Sequence, residues 1–538
     1  FFSIIIIMKR FDYIIVGAGS AGCLLANRLV KNSSKSVLLI EEGGSNNNIW
    51  IQIPVGYFKT IFNPKFTKTF LTNPDPNLNN REFKWPRGKT IGGSGSVNGL
   101  VYLRGHQNDF NNWAQEGNSG WSYDDVLPLF KKTEYQNDIY SEFHGNEGLL
   151  QISNITFKHE LTEAFIEGSK ELGIHYNNDF NGKHFEGVGY YQLTNTKAGF
   201  RSSTVVYLKA IEKNIHFTLL KNTKVEKIIF EKKIAKGVKI STPEKEENIY
   251  ANEEIILCAG AIETPKLLEI SGVGNESLLR KLGIEVVVNL PGVGENLQDH
   301  YQVRHVYKCN QPITLNDQVN SFRGKINILY DYLFKQKGPM TVGAGQAAAI
   351  TKSTPGIDIP DICMHFMPLS TDAPGKKLHK FSGFTNAVYQ CRPESRGNIH
   401  ISSSDNKKDP VIKPNYLSAD KDKEIIVSGV KLAKKLAETD SVKKYIEDIY
   451  FPEQNLNTDD EILSFAKENG GTIFHPSCTC KMGNANDKLA VVDNNLKVHG
   501  IKGLRIVDAS IMPSITSGNI NAPTIMIAEK GANLITGI

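Results

Sequence analysis

Apolar and polar positions alternate along this chain with two different periods, and their order outlines the fold. Near the start, Phe11-Asp12-Tyr13-Ile14-Ile15-Val16 is a short apolar run of the kind that forms a buried strand. It stops at Gly17-Ala18-Gly19-Ser20-Ala21-Gly22, and apolar residues then recur at helical spacing through Cys23-Leu24-Leu25-Ala26-Asn27-Arg28-Leu29. A second apolar run, Val37-Leu38-Leu39-Ile40, ends on Glu41. This predicts a strand–helix–strand unit over roughly 10–44. Short alternating strands are predicted over 215–238, with Val225 among their apolar positions. The run 253–260 reads as a buried strand entering a helix through small residues. Between about 305 and 400, short apolar runs and turn residues predict an antiparallel sheet. Helical periodicity returns over 421–439 and 521–535, with a strand at 503–508 between them. The Pro- and Asn-rich stretch 63–85 reads as loop.

The first unit carries chemistry. Gly17 permits a tight turn, Gly19 lets backbone approach a pyrophosphate, and Gly22 lets helix and strand pack closely. The helix N-terminus offers free N–H groups to phosphate. Glu41 stands where an acid accepts hydrogen bonds from a ribose. A dinucleotide site follows from strand, glycines, helix and acid in register; FAD and NAD are both compatible with it. A second small-residue run, Pro86-Arg87-Gly88-Lys89-Thr90-Ile91-Gly92-Gly93-Ser94-Gly95-Ser96-Val97-Asn98-Gly99-Leu100-Val101-Tyr102, predicts backbone folded tightly against a ligand.

Bulk properties narrow the classes. With 538 residues, two domains are the expectation. A net charge of +5 and no basic stripe argue against nucleic acid. Seven cysteines without metal spacing imply reduced thiols, no metal site and a cytoplasmic setting, with peripheral contact at the inner membrane compatible. Cys478-x-Cys480 is taken as structural. No apolar run reaches membrane-spanning length. The opening Phe1-Phe2-Ser3-Ile4-Ile5-Ile6-Ile7 lacks the basic flank of a signal peptide, and Met8 is the expected start.

Four blocks in order resemble the glucose–methanol–choline (GMC) oxidoreductases. They are the fingerprint with Glu41, the glycine run 87–99, the signature Gly260-Ala261-Ile262-Glu263-Thr264-Pro265-Lys266-Leu267-Leu268-Glu269-Ile270-Ser271-Gly272-Val273-Gly274, and His475-Pro476-Ser477-Cys478-Thr479-Cys480-Lys481-Met482-Gly483 joined to Asp508-Ala509-Ser510 and Ser517-Gly518-Asn519-Ile520-Asn521-Ala522-Pro523-Thr524. The last block is similar to the choline dehydrogenase and FAD-dependent alcohol dehydrogenase branch. The resemblance implies an α/β chain, mixed α+β overall: a Rossmann-like FAD-binding domain with an interleaved substrate domain on an antiparallel sheet. It divides the chain into 8–305 (mainly FAD-binding), 306–391 (the substrate-domain sheet) and 392–535 (completing the substrate domain and returning to the FAD domain).

The resemblance also implies FAD and a set of roles. Gly17, Gly19, Ser20, Gly22 and Glu41 hold the ADP half, and Val225 meets adenine through its backbone. Gly93, Asn98, Gly99 and Val101 line the flavin, and Asp508 and the Asn519 segment close over it. Val97 falls where some relatives carry a flavin-linking histidine, so the FAD is expected to be non-covalent. His475 is the expected base for a primary alcohol, with Asn519 bonding the substrate oxygen and choline a candidate substrate. Electrons pass to an acceptor no motif names, with a quinone or a redox protein as candidates. An O₂-using alcohol oxidase and a non-catalytic flavin-binding protein are the alternatives. His300 and His499 are expected to be packing or surface residues, and Glu394 and Arg396 a structural ion pair.

Overall fold

The computed structural model describes residues 9–343, 345–453 and 455–538; the expectations for residues 1–8 lie outside them. Two seven-stranded sheets organise the chain. In the first, strands Phe217–Leu220, Val37–Ile40, Arg10–Val16 and Glu246–Leu257 lie side by side and parallel, and Leu504–Ile506 adds a further parallel strand. Ile234–Ser241 and Lys224–Glu231 extend the same sheet antiparallel. The parallel strands are buried on both faces, which is why Val37–Ile40 and Ile14–Val16 are continuously apolar.

Helix Ser20–Asn32 covers this sheet beside the C-terminal helix Asn521–Thr536. A buried Arg28–Glu529 ion pair at 2.8 Å and a Ser20–Asn521 hydrogen bond at 2.8 Å join the two. The chain's last helix thus packs against its first strand–helix unit.

The second sheet is antiparallel, in the order Ile446–Phe451, Tyr301–Cys309, Gly383–Gln390, Ile362–Met367, Ala347–Thr351, Gly187–Tyr190. Its outer strands come from both ends of the sequence. Helix Asp420–Glu438 packs Ile425, Ala433 and Leu436 onto it, beside Met364 and Val388.

Two predicted stretches differ. The 63–85 stretch is not all loop: Thr67–Leu71 pairs antiparallel with Lys84–Gly88, setting Phe70 opposite Trp85. Only Phe70, Leu71 and Trp85 are large and apolar in its strands, and Pro and Asn at its turn mask them. The 305–400 stretch is not all sheet: helices Leu315–Asn320 and Phe322–Lys335 stand between its strands. Among the described residues no helix is long and apolar enough to cross a membrane.

Candidate active site

The fingerprint forms the cradle its spacing predicts. Gly17 adopts φ +101°, a conformation that favours glycine, and a Cβ on Gly22 would lie 2.0 Å from the Gly17 carbonyl oxygen. Gly19 occupies the cap position of helix Ser20–Asn32 without any side-chain cap, so the first helical N–H groups face the cavity. Gly93 (φ +53°) presses against Gly19; its Cβ would sit 2.8 Å from the Gly19 Cα. The two glycine runs therefore meet backbone to backbone.

Glu41 is buried and accepts hydrogen bonds from the N–H groups of Ala18 (2.9 Å) and Gly43 (2.8 Å). Burial pushes its carboxyl up to about 7 despite those two bonds. Asn98 is held by Arg201, which donates to its Oδ1 at 2.6 Å and to its carbonyl at 2.8 Å. Arg201 also donates to Ile51 and Gly95 carbonyls, so one buried guanidinium pins the second glycine loop.

One cavity of about 440 Å³ joins Gly17, Gly19, Ser20 and Glu41 through Gly93, Asn98, Gly99 and Val101 to His475 and Asn519. Val225 and Asp508 also line it; Gly22 lies just behind its wall. Asp508 does not extend a free carboxylate into the cavity. Its oxygens accept from Gly260 N–H (2.8 Å), Thr264 hydroxyl (2.7 Å) and Ser510 N–H (2.8 Å), capping helix Gly260–Ile270.

His475 is set from behind by a run of polar residues, Gln298-Asp299-His300, that sequence reading passed over. Asp299 accepts the His475 N–H at 2.7 Å, together with the hydroxyls of Thr472 and Tyr416. Gln298 exchanges backbone bonds with Ser477. His300, expected to be a packing or surface residue, is fully buried and lies against His475, with the two Nδ1 atoms 2.9 Å apart.

These contacts determine the proton positions. His300 Nε2 lies 2.9 Å from the Cys391 carbonyl, which can only accept, so that nitrogen carries the proton. Burial lowers His300 to about 4, leaving it neutral with a lone pair on Nδ1. His475 must then donate from its own Nδ1, and its lone pair sits on Nε2. Asn519 Nδ2 lies 3.0 Å from that Nε2 and donates to it. The Asn519 Oδ1 is buried without a partner. Burial, then the neighbouring His300, His365 and Arg87, hold His475 well below the usual histidine range, so it is neutral at working pH. The arrangement can take a proton at one defined nitrogen, beside a second polar group.

The remaining expectations fall elsewhere. His499 Nε2 bonds the Gly483 carbonyl at 3.0 Å, a packing role. Glu394 and Arg396 form no ion pair: Arg396 donates to the carbonyls of Pro393 and Ser395, and the Glu394 N–H goes to Asp422. All seven cysteines are unpaired and buried. No cluster of His, Cys, Asp and Glu suited to a metal occurs among the described residues.

The residues fit a dinucleotide that reaches from the uncapped helix to His475, since a glycine-walled slot with an unpartnered amide oxygen at one end is built for a ligand. A parallel sheet with such a glycine turn, opening on a cavity that ends at a buried histidine, is the architecture of a dinucleotide-binding protein. The chain belongs to the GMC oxidoreductase family, whose N-terminal region matches residues 11–302 and C-terminal region 393–528. It is 39% identical to an oxygen-dependent choline dehydrogenase of Vibrio vulnificus, covering 98% of this chain and 94% of that one. It is 38% identical to an alcohol dehydrogenase [acceptor] of Pseudomonas putida, covering 98% and 95%. An Aspergillus oryzae formate oxidase, solved in a study of FAD modification, superposes with a TM-score of 0.91 at 26% identity over 98% of both chains. The family and such flavoenzyme neighbours imply FAD as the cofactor.

Proposed function

We propose that this enzyme oxidises a primary alcohol to an aldehyde with non-covalently held FAD, His475 taking the hydroxyl proton and Asn519 holding the alcohol oxygen. The observation that carries the reading is the His300–His475–Asn519 chain, which leaves the lone pair on His475 Nε2 at the end of the cavity. The uncapped N–H groups at the start of helix Ser20–Asn32, in the turn that Gly17, Gly19, Ser20 and Gly22 shape, suit a pyrophosphate, Glu41 a ribose, and the Val225 backbone an adenine. Gly93, Asn98, Gly99 and Val101 would flank the flavin, with Asp508 and the Asn519 segment closing the site. Val97 is aliphatic and offers no bond to a flavin. FAD held there supplies the acceptor for the two electrons that leave the alcohol.

The protein's own task is the proton. When His475 Nε2 takes it, the imidazolium keeps its Nδ1–H bond to His300, which becomes charge-assisted and stronger. Asn519 Nδ2, released from Nε2, is free to donate to the substrate oxygen as charge builds there.

The cavity lining bears on the substrate. Its four carboxylates are all committed to protein partners: Glu41 and Asp508 as above, Glu42 to Lys89, and Glu263 to Lys68 and Lys266. The remaining wall carries four aromatic rings, Tyr57, Phe58, Phe70 and Phe474, beside Ile61, Met367 and Leu369, with Arg87, Arg304 and three lysines as cations. A quaternary ammonium needs a facing carboxylate or an aromatic cage, and the two arginines repel it. Four rings line the cavity, so it is the committed carboxylates and the two arginines, not a want of aromatic faces, that favour an alcohol with an apolar body and no positive charge over choline.

Anaerobic titration tests this. The flavin absorbance should bleach with an uncharged primary alcohol at far lower concentration than with choline, and acid precipitation should release the flavin into solution. In His475→Ala the flavin should stay bound while bleaching slows by about 10²–10⁴-fold. Bleaching by choline alone would overturn the substrate reading; a yellow protein that no alcohol bleaches would overturn the reaction.

A further inference from the structure

Helix Phe322–Lys335 turns its apolar face outward. Phe322, Ile326, Leu329 and Leu333 recur four, three and four residues apart and so form one stripe, which Tyr330 and Phe334 widen. These six side chains are between 49% and 78% exposed, while Tyr332, to one side of the stripe, is the helix's one buried residue. So broad an apolar face on a well-formed helix marks an interaction surface.

The surface continues beyond the helix. Tyr332 packs against Phe200 with ring centroids 5.9 Å apart and donates to the Gly199 carbonyl. Phe200 is itself partly exposed, and the next residue, Arg201, donates its N–H to Gln52, two residues from the exposed Trp50. The Lys59 ammonium stands 5.8 Å from the Trp50 ring centre, and Lys59 follows Phe58, which lines the cavity.

Charge selects among the occupants. Arg323, Lys325 and Lys337 have no ion-pair partner among the described residues, and the helix's one acid, Asp331, is paired with Lys335. On a helical projection Arg323 and Lys325 fall on opposite flanks of the stripe, where long basic side chains reach headgroups while their stems lie on apolar surface. A second copy of the chain would bring the same unpaired cations face to face, whereas an anionic lipid surface complements them. At 14 residues, about 21 Å, the helix is too short to span a bilayer and suited to lie in its interface.

We propose that helix Phe322–Lys335 is a membrane-docking element that seats this enzyme on anionic lipid, with the cavity wall at Phe58 close to the lipid surface. The holoenzyme should co-sediment with phosphatidylglycerol-containing vesicles and much less with pure phosphatidylcholine, and high salt should weaken binding. The double change Leu329→Ser/Leu333→Ser should lower vesicle affinity at least about tenfold, with flavin content and melting unchanged because both sites are exposed. Arg323→Gln/Lys325→Gln should lower affinity for anionic vesicles only. Phe334→Trp should add a blue-shifted emission when vesicles are mixed in. Failure to bind either vesicle, or no emission shift, overturns the proposal. So does a solution dimer that the double serine change dissociates without altering vesicle binding. None of these readouts depends on turnover, so they stand apart from the alcohol reading.

Discussion

The two ends of the cavity are built in opposite ways. At the cradle, Gly17, Gly19, Gly22 and Glu41 lie within one strand–helix–strand unit, and backbone supplies the ligand-facing groups. At the far end, His475, His300 and Asn519 come from three segments, with contacts spanning 175 and 44 positions, and side chains supply everything. At Gly17 and Gly22 the cradle has no room for an added atom; the histidine end has no room for a misdirected proton. A local backbone site fails by steric exclusion, an assembled side-chain site by loss of orientation.

The sharpest break of that contrast is Gly22→Ala. Its Cβ would lie 2.0 Å from a backbone carbonyl that cannot move without displacing Gly17. Overpacking of this kind costs about 1–3 kcal/mol and at times more. The expected outcome is a poorly soluble or flavin-free protein, read by absorbance after purification. Normal flavin content would mean that the cradle is more compliant than its geometry states.

His300→Leu should act differently. It leaves the His475 Nδ1–H buried without an acceptor and frees the ring to place its lone pair on the wrong nitrogen. Losing such a partner costs about 1–3 kcal/mol, or about 5–150-fold. Flavin content should be unchanged, kcat should fall by that factor, and its pH profile should shift. His300→Gln, which restores an acceptor, should recover part of the rate. If leucine and glutamine behave alike, His300 is packing only.

The smallest effect is on acid stability. Burial lowers His300, His305 and His365 to about 4, about 4 and about 3, and His475 also lies well below 6.5. Below pH 6.5 the unfolded chain takes up these four protons and the native protein does not. Their contribution is complete above pH 6.5 and lost as pH falls, by about 1.4 kcal/mol per unit for each histidine. Glu41 and Asp299, raised to about 7 and about 6, act in the opposite sense, and so do Asp75, Asp109, Glu116, Glu269 and Asp508, which burial also raises. The histidine share is therefore read from a single variant against the wild type, as a difference in how the melting temperature falls between pH 6.5 and 4.5. His305, whose ring nitrogens have no partner, isolates one share: His305→Phe should flatten the slope without touching the flavin.

The same contrast explains what was legible in the chain. Buried parallel strands show as continuous apolar runs, and the fingerprint shows as glycines at fixed offsets, because the constraints act within a few residues. The Thr67–Leu71 hairpin was hidden because only Phe70, Leu71 and Trp85 are large and apolar in its strands. In helix Phe322–Lys335, Ile328, Tyr330, Tyr332 and Phe334 fall at every second position and imitate a strand. Gln298-Asp299-His300 carries three polar residues on a short stretch after Leu297, a signal that something polar is needed there, yet nothing nearby says what.

The sequence by itself determined the dinucleotide cradle and the two kinds of sheet, since periodicity and glycine offsets record local steric demands; the candidacy of His475 and Asn519 came from the resemblance to the family. Only the tertiary structure decided which nitrogen of His475 holds the lone pair, that Asp508 is spent on capping a helix, and that Glu394 and Arg396 do not pair. Those facts depend on which distant groups share a buried space, where each hydrogen must have one acceptor, and no local pattern encodes that partnership.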